Sequence, residues 1–274
     1  MINKIKKKIR LISLTLKYLF TSEKKFKYQC NICGWIGYAP ISIVSNREIP
    51  SCCGCGSNLR FRSIIATLTK EIFGEVLILE KQASNKSLLG MGMSDDGIYA
   101  DTLNKLYSYE NTFYDREPKF DITDRKLKER EGRYNFIITS DVFEHIPYPV
   151  NNAFQNLYNL LAPGGICIFS VPFDRTGKTI EHFPNLKEWK ISVLDDNRVL
   201  INNLGNGNLQ IFENLCFHGG SGATLEMRRF GLNDILELFT SVGFKDIIIH
   251  SEELPEWGII YSVKDSYVIS ARKY

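Results

Sequence analysis

The sequence has no run of about 18 apolar residues, so no membrane-spanning helix is expected. No small-residue cleavage site follows the apolar start before the Lys- and Cys-rich segment, so we read no secretory leader. Internal repeats and low-complexity tracts are missing as well, which sets aside repeat architectures. A strong charge of one sign is also lacking: the chain carries +3 over 274 residues. That small value hides an asymmetry. Residues 1–27 hold nine lysines and arginines against the single acid Glu23, a charge of +8, so the remaining 247 residues carry −5. A mildly acidic body argues against a broad nucleic-acid footprint.

What is present is an ordinary soluble composition, 44% apolar and 24% charged. The length suits one large α/β domain with a small appendage. Seven cysteines, five of them within residues 30–55, do not read as a disulfide framework. They read as metal binding in a reducing cytoplasm. Cys30-Asn-Ile-Cys33 and Cys52-Cys53-Gly-Cys55 are two knuckles that can close a tetrahedral Zn²⁺ site with no open position. The expected ligands are Cys30, Cys33, Cys52 and Cys55. Cys53 competes with Cys52, and Cys52 is preferred because its spacing mirrors the first knuckle. A site of four thiolates leaves no room for water, so this zinc is expected to be structural.

Ile2, Ile5, Ile9, Ile12, Leu16 and Leu19 recur at steps of three and four, which predicts a helix with an apolar stripe and a lysine face. Three readings stay open: docking on its own domain or a second copy, contact with anionic lipid at the inner membrane face, and nucleic-acid contact. The organisation expected is therefore a basic amphipathic helix over 1–27, a knuckle module over 28–57 and a larger domain over 58–274.

Within that domain the spacing predicts a helix from Asn58 to Phe73 with Gly74 past its end. Strands are expected at 76–79, 136–139, 166–171, 247–249 and 267–270, and helices at 101–107, 150–161 and 232–242. This alternation argues for a mostly parallel sheet covered on both faces, with the last strand antiparallel. Residues 173–230 break the alternation and read as an insertion at a strand's carboxyl end, where α/β enzymes build substrate sites.

Tyr134-Asn-Phe-Ile-Ile-Thr-Ser-Asp-Val-Phe-Glu-His-Ile-Pro, a helix, and then Leu160-Leu-Ala-Pro-Gly-Gly-Ile-Cys-Ile-Phe-Ser-Val-Pro resemble the class I S-adenosylmethionine-dependent methyltransferases of the type 11 group. Gly243-Phe244 before the strand at 247–249 matches the same pattern. The likeness covers roughly residues 75–274. It implies a Rossmann-like, seven-stranded, mostly parallel sheet. The cysteine knuckles followed by Asn58-Leu-Arg-Phe-Arg62 resemble an N-terminal extension of some bacterial members. Gly90-Met-Gly-Met-Ser-Asp and Thr112-Phe-Tyr-Asp-Arg-Glu-Pro resemble a subgroup found among cell-surface glycan enzymes.

The resemblance implies S-adenosylmethionine as cofactor. It places Ser140, Asp141 and Phe143 beside the adenosyl group, Asp121 and Ile122 at the adenine, and Asp101 at the ribose, with Asp115 as its competitor. Leu79 and Glu80 would form the first loop. There the sequence departs from the family, because Glu80 stands where a glycine admits close backbone approach. A variant loop and a loss of cofactor binding both remain open. Transfer to a hydroxyl calls for a base, and His218, His182 and His145 are the candidates. The function expected is methyl transfer to a small or glycan-like acceptor, most simply at oxygen. Its rivals are an RNA methyltransferase gripping RNA through the zinc module and an inactive scaffold. The expected location is the cytoplasm, with residues 2–20 as a contact for the inner face of the membrane.

Overall fold

A computed structural model describes residues 2–124, 127–194, 197–205, 207–218 and 224–274. Its centre is a six-stranded sheet. The strands are β3 (Asn85–Met93), β4 (Tyr107–Thr112), β5 (Tyr134–Ser140), β6 (Leu161–Ser170), β11 (Lys245–His250) and β12 (Val268–Arg272). They lie in the order β11-β12-β6-β5-β3-β4. The four strands β4, β3, β5 and β6 run parallel, and β12 pairs antiparallel with both β6 and β11. The antiparallel last strand is as expected. The sheet has six strands rather than the seven implied, and β4 ends it.

The first strand corrects the sequence reading. Val76–Leu79 is not a strand. Leu79–Lys81 forms a short 3-10 turn, and the backbone N–H groups of Leu79 and Glu80 donate to the carbonyls of Asn31 and Ile32. An apolar run of four residues cannot distinguish a buried strand from a segment packed under another module. The actual first strand carries Gly90 and Gly92, which lowered its apparent strand character. Both glycines are required by packing. A Cβ at Gly90 would overlap the Phe136 ring, and one at Gly92 would overlap the Tyr109 hydroxyl and the Asp95 carboxylate.

The helices follow their sequence signals. α2 (Leu59–Phe73) begins where the Asn58 side chain accepts the Phe61 N–H, and ends at left-handed Gly74. α3 (Gly97–Leu106) is capped by Asp96 and starts four residues before the expected position. α4 (Asn151–Leu160) and α5 (Leu232–Ser241) pack on one face of the sheet, where Phe143, Phe154, Phe169 and Phe239 meet in edge-to-face contacts. The described residues of 173–230 form small sheets, antiparallel except where Arg228–Gly231 pairs parallel with Phe173–Asp174. A three-stranded meander contains β7 (Glu188–Leu194), β8 (Asn197–Asn203) and β9 (Leu209–Phe212), and β10 (Arg228–Gly231) leads into α5. Asp195, Asp196, Asn206 and the glycine-rich run 219–222 lie outside the described residues.

The N-terminal module is a hairpin, β1 (Lys25–Gln29) with β2 (Ile36–Pro40), closed by the two cysteine knuckles. It is not an independent core. Tyr28, Cys30 and Ile32 share one apolar cluster with Ile64, Ile65, Phe136, Ile138 and Ile168 on the second face of the sheet. Arg62, fully buried on α2, is the rivet. Its guanidinium donates to Ser51 Oγ at 2.8 Å, to the Ser57 carbonyl at 3.2 Å and to the Gly258 carbonyl at 2.9 Å, and it lies 4.9 Å from the Tyr28 ring centroid. Arg62 therefore joins the module to the last loop of the domain and is unavailable to RNA.

α1 (Ile2–Leu19) rests on this module through Leu11, Leu14 and Tyr18, whose hydroxyl donates to the Pro50 carbonyl. The expected stripe faces away from it: Ile9, Ile12 and Leu16 are 62%, 53% and 49% exposed, and Phe20 is 85% exposed. The side chains of Ile2, Ile5 and Leu19 lie outside the described residues.

Candidate active site

The carboxyl ends of β3, β4 and β5 point to one edge of the sheet, and the turns that follow them carry the polar groups. After β3, Ser94 adopts a left-handed conformation and Asp95 turns inward. Asp95 is buried and accepts hydrogen bonds from the Tyr99 hydroxyl at 2.8 Å and from the Tyr109 hydroxyl. Asn111 grips its backbone from both sides. Burial pushes the Asp95 carboxyl up to about 7, despite the two tyrosine donors. The loop is thus braced by side chains that a reading centred on residues 76–84 could not find.

The structure redistributes the expected cofactor residues. Leu79 and Glu80 belong to the turn against the knuckle and not to the loop after the first strand. Asp101 is on α3, whereas its competitor Asp115 follows the carboxyl end of β4. The Asp121 carboxylate accepts from the Thr123 N–H and hydroxyl within its own turn, and the carbonyl of buried Ile122 accepts from Asn156. Among the described residues no further strand of the main sheet lies between β4 and Asp121, where only an isolated bridge pairs Phe113 with Lys119. Ser140, Asp141 and Phe143 stand at the end of β5 as expected. Asp115, Ser140 and the apolar Ile122 are groups of the right chemistry for ribose hydroxyls and an adenine.

Asp141 is held in a way the sequence did not signal. It has a positive φ of 54°. Both its oxygens face Arg47 of the module, at 2.8 Å in one of the two contacts, and Arg60 lies 3.4 Å away. Arg60 also donates to Ser140 Oγ at 3.0 Å, which in turn accepts from Ser170. Burial works to raise the Asp141 carboxyl, but the two guanidinium groups outweigh it and hold the acid below its usual range. Arg60 is committed to this network. Arg47 and Arg60 also line a cavity of about 210 Å³ between the module and residues 261–268.

The three candidate bases come together. β10 and the residues before it are tied to the turn after β5: the Met227 N–H donates to the Glu144 carbonyl, and Arg228 donates to the Phe143 carbonyl at 2.7 Å. Arg228 is fully buried and paired with Glu181 at 2.7 Å, so it fixes the insertion and does not meet solvent. This docking sets Glu226 between two imidazoles. His182 Nε2 lies 2.9 Å from one of its oxygens, and His218 Nε2 lies 2.5 Å from the other. His145 packs edge-on against the His218 ring with centroids 5.1 Å apart, and its Nδ1 donates to the Leu225 carbonyl at 2.9 Å. Burial lowers the His145 imidazole below its ordinary range. Burial, followed by repulsion from Asp141, holds the Glu144 carboxyl well above its ordinary range. Glu226, which was not among the candidate bases, completes the cluster. It stands eight residues after His218, and no sequence pattern marks the contact.

The cysteines of the module also assemble as expected. Cys30 and Cys55 Sγ are 3.8 Å apart, Cys33 and Cys52 Sγ are 3.6 Å apart, and the four sulfurs lie within 4.8 Å of one another. Four thiolates at about 2.3 Å from a tetrahedral zinc would be about 3.8 Å apart, so the donor set fits that ion. Cys53 stands outside the set. Hydrogen bonds from the other three thiols, and then the Arg62 charge, hold the Cys30 thiol well below its usual range.

A family described as "Methyltransferase domain" matches residues 61–236. No curated protein matches the chain by sequence. Among solved structures, the SeMet-substituted CurJ carbon methyltransferase is similar at 12% identity and a TM-score of 0.45, over 79% of this chain and 55% of that one. The chain therefore spans about half the length of that structure. The Burkholderia thailandensis 1,6-didemethyltoxoflavin-N1-methyltransferase, bound to 1,6-didemethyltoxoflavin and S-adenosylhomocysteine, is similar at 12% identity and a TM-score of 0.42, over 77% of this chain and 78% of that one. The glycopeptide N-methyltransferase MtfA with S-adenosylmethionine is similar at 10% identity and a TM-score of 0.39, over 71% and 90%.

Proposed function

The chain belongs to the methyltransferase-domain family and is an S-adenosylmethionine-dependent methyltransferase, and from that premise we propose that it methylates a hydroxyl of a small or glycan-like acceptor. The observation that carries this reading is the His182–Glu226–His218 arrangement, docked beside the turn that follows β5. S-adenosylmethionine supplies an electrophilic methyl group on a sulfonium. The residues of the chain do the rest. Asp115, Ile122 and Ser140 bind the adenosine. His182 would be the base that takes the acceptor's hydroxyl proton on methyl transfer. Glu226 orients the imidazole and stabilises its charged form, as a carboxylate does in other base–orienter pairs.

Calorimetry with S-adenosylmethionine tests the cofactor, and no heat at millimolar ligand would sink the reading. Glu226→Ala tests the base. We expect turnover to fall by about 10²–10⁴ with cofactor binding unchanged. Unchanged turnover would remove the base assignment. The four-cysteine cluster is proposed to hold a structural zinc.

The exposed face of α1 supports peripheral contact with anionic lipid in the cytoplasm. Ile9, Ile12, Leu16 and Phe20 point outward on a segment bearing +8. The protein is expected to float with vesicles rich in phosphatidylserine and not with neutral ones, and Ile12→Glu with Leu16→Glu should abolish flotation. Flotation that persists in the double variant, or a loss of self-association in its place, would show that this face serves another purpose.

A further inference from the structure

Glu144 poses a chemical problem that the base arrangement does not solve. Its side chain is 2% exposed, and among the described residues neither carboxylate oxygen has a hydrogen-bond donor. Leaving such a group unmatched is costly, so a buried carboxylate without a partner calls for a cause. The imidazole next to it in sequence does not supply one. His145 Nδ1 faces a carbonyl oxygen, which can only accept, so Nδ1 carries the proton and Nε2 presents a lone pair. That lone pair lies 3.8 Å from Glu144 Oε1, too far for a hydrogen bond and with no proton of its own to offer. Two acceptors thus face each other. A ring nitrogen of His218 completes the group, with one ligand atom from each of the three residues within 4.8 Å of the others.

We propose that Glu144, His145 and His218 form a binding site for a divalent first-row metal ion, distinct from the cysteine cluster. Two imidazoles and one carboxylate are a recurring donor set for such ions, and this set leaves coordination positions open. The separation of 3.8 Å between Glu144 Oε1 and His145 Nε2 lies between those of adjacent and opposite ligands about 2.1 Å from a shared ion. With Nδ1 of His218 as the ligand, both histidines also have the outer partner that metal-bound imidazoles require. The Leu225 carbonyl fixes the His145 tautomer, and Glu226 holds the His218 ring at 2.5 Å. A cation satisfies both Glu144 oxygens and the opposing lone pair at once. An open position facing the insertion would take the acceptor's oxygen and favour its deprotonation, with the proton passing to His182. This role rests on the methyl-transfer reading. The site itself rests on the geometry of the three residues.

The test is an electron paramagnetic resonance titration of the full chain with Mn²⁺, carried out with zinc already in the cysteine cluster. Mn²⁺ avoids thiolate sites, so the two sites are read separately. Wild type is expected to remove about one Mn²⁺ per chain from the free-ion signal. Glu144→Gln and His218→Ala should each weaken binding more than tenfold, and Glu226→Ala by about 10–100-fold through the lost outer partner. His218 is one-third exposed, so its truncation tests the site even if Glu144→Gln does not fold. No stoichiometric Mn²⁺ uptake up to millimolar concentrations overturns the site and leaves Glu144 as a neutral buried acid. Equal uptake by wild type and the His218→Ala variant overturns it too. Calorimetry with S-adenosylmethionine on the same samples separates either result from a failure of the methyl-transfer reading.

Discussion

Cys55→Ser is expected to abolish the proposed zinc site and unfold residues 25–57, with a large fall in melting temperature. Structural zinc in small domains contributes on the order of 10 kcal/mol to folding. A module of this size cannot bury enough apolar surface to stay folded alone. Its loss would not stay local. Tyr28, Cys30 and Ile32 belong to the cluster that covers one face of the sheet, and Arg47 and Arg60 hold Asp141 from the module side. Elemental analysis, calorimetric melting and proteolysis across residues 25–57 measure the effect. Cys53→Ser is the control, because Cys53 lies outside the four-sulfur set. It should retain zinc and melt as wild type. Equal damage from both substitutions would mean that the ligand set is wrong. Survival of Cys55→Ser with only turnover lost would mean that the metal is functional and not structural.

Gly92→Val is expected to abolish cofactor binding, by more than 100-fold in affinity, and to destabilise the domain. A side chain at this position has no space, because the Tyr109 hydroxyl and the Asp95 carboxylate already fill it. Overpacking of a tight interior costs about 1–3 kcal/mol, and separating a buried acid from its donors adds about 1–3 kcal/mol. The displaced group is the brace of the loop after the first strand, so the damage falls on the position where the cofactor is proposed to lie. Gly97→Ala provides the contrast. Its Cβ would meet only the Asp101 carboxylate, at 3.5 Å, and it should bind as wild type. Calorimetric affinity for S-adenosylhomocysteine with both variants checks the prediction. Near-normal affinity in Gly92→Val would remove this loop from the cofactor site.

The N-terminal and first-strand regions differ in what their sequences reveal. The cysteine spacing gave the knuckle pairing directly, because two thiols three residues apart on a tight turn already share one direction. The helix at 59–73 was equally plain, since its cap Asn58 and its stop Gly74 act through the backbone next to them. The first strand was not. Gly90 and Gly92 carry no apolar signal of their own. They are glycines because Phe136 and Tyr109 from neighbouring strands occupy the space a side chain would need, and those neighbours are 46 and 17 residues away. The run at 76–79 imitated a strand because it packs under the knuckle. The departure read at Glu80 came from this misplacement: with the strand at 85–93, the loop that follows it is Ser94-Asp95-Asp96-Gly97.

The sequence by itself determined the elements whose cause is local: the capped helices, the thiol pairs, the buried run of β5 and the turn into β6, together with the family they resemble. Only the tertiary structure decided which polar groups meet. Glu226 stands between His182 and His218, 44 and 8 residues away, because Arg228 anchors the insertion to the turn after β5. Arg60 and Arg62 are two residues apart, yet one reaches Asp141 and the other is buried as a rivet, since a helix turns adjacent positions toward different surroundings. The outward face of α1 was decided in the same way. Periodicity defines a stripe, but it takes the module beneath to show which side of the helix is covered.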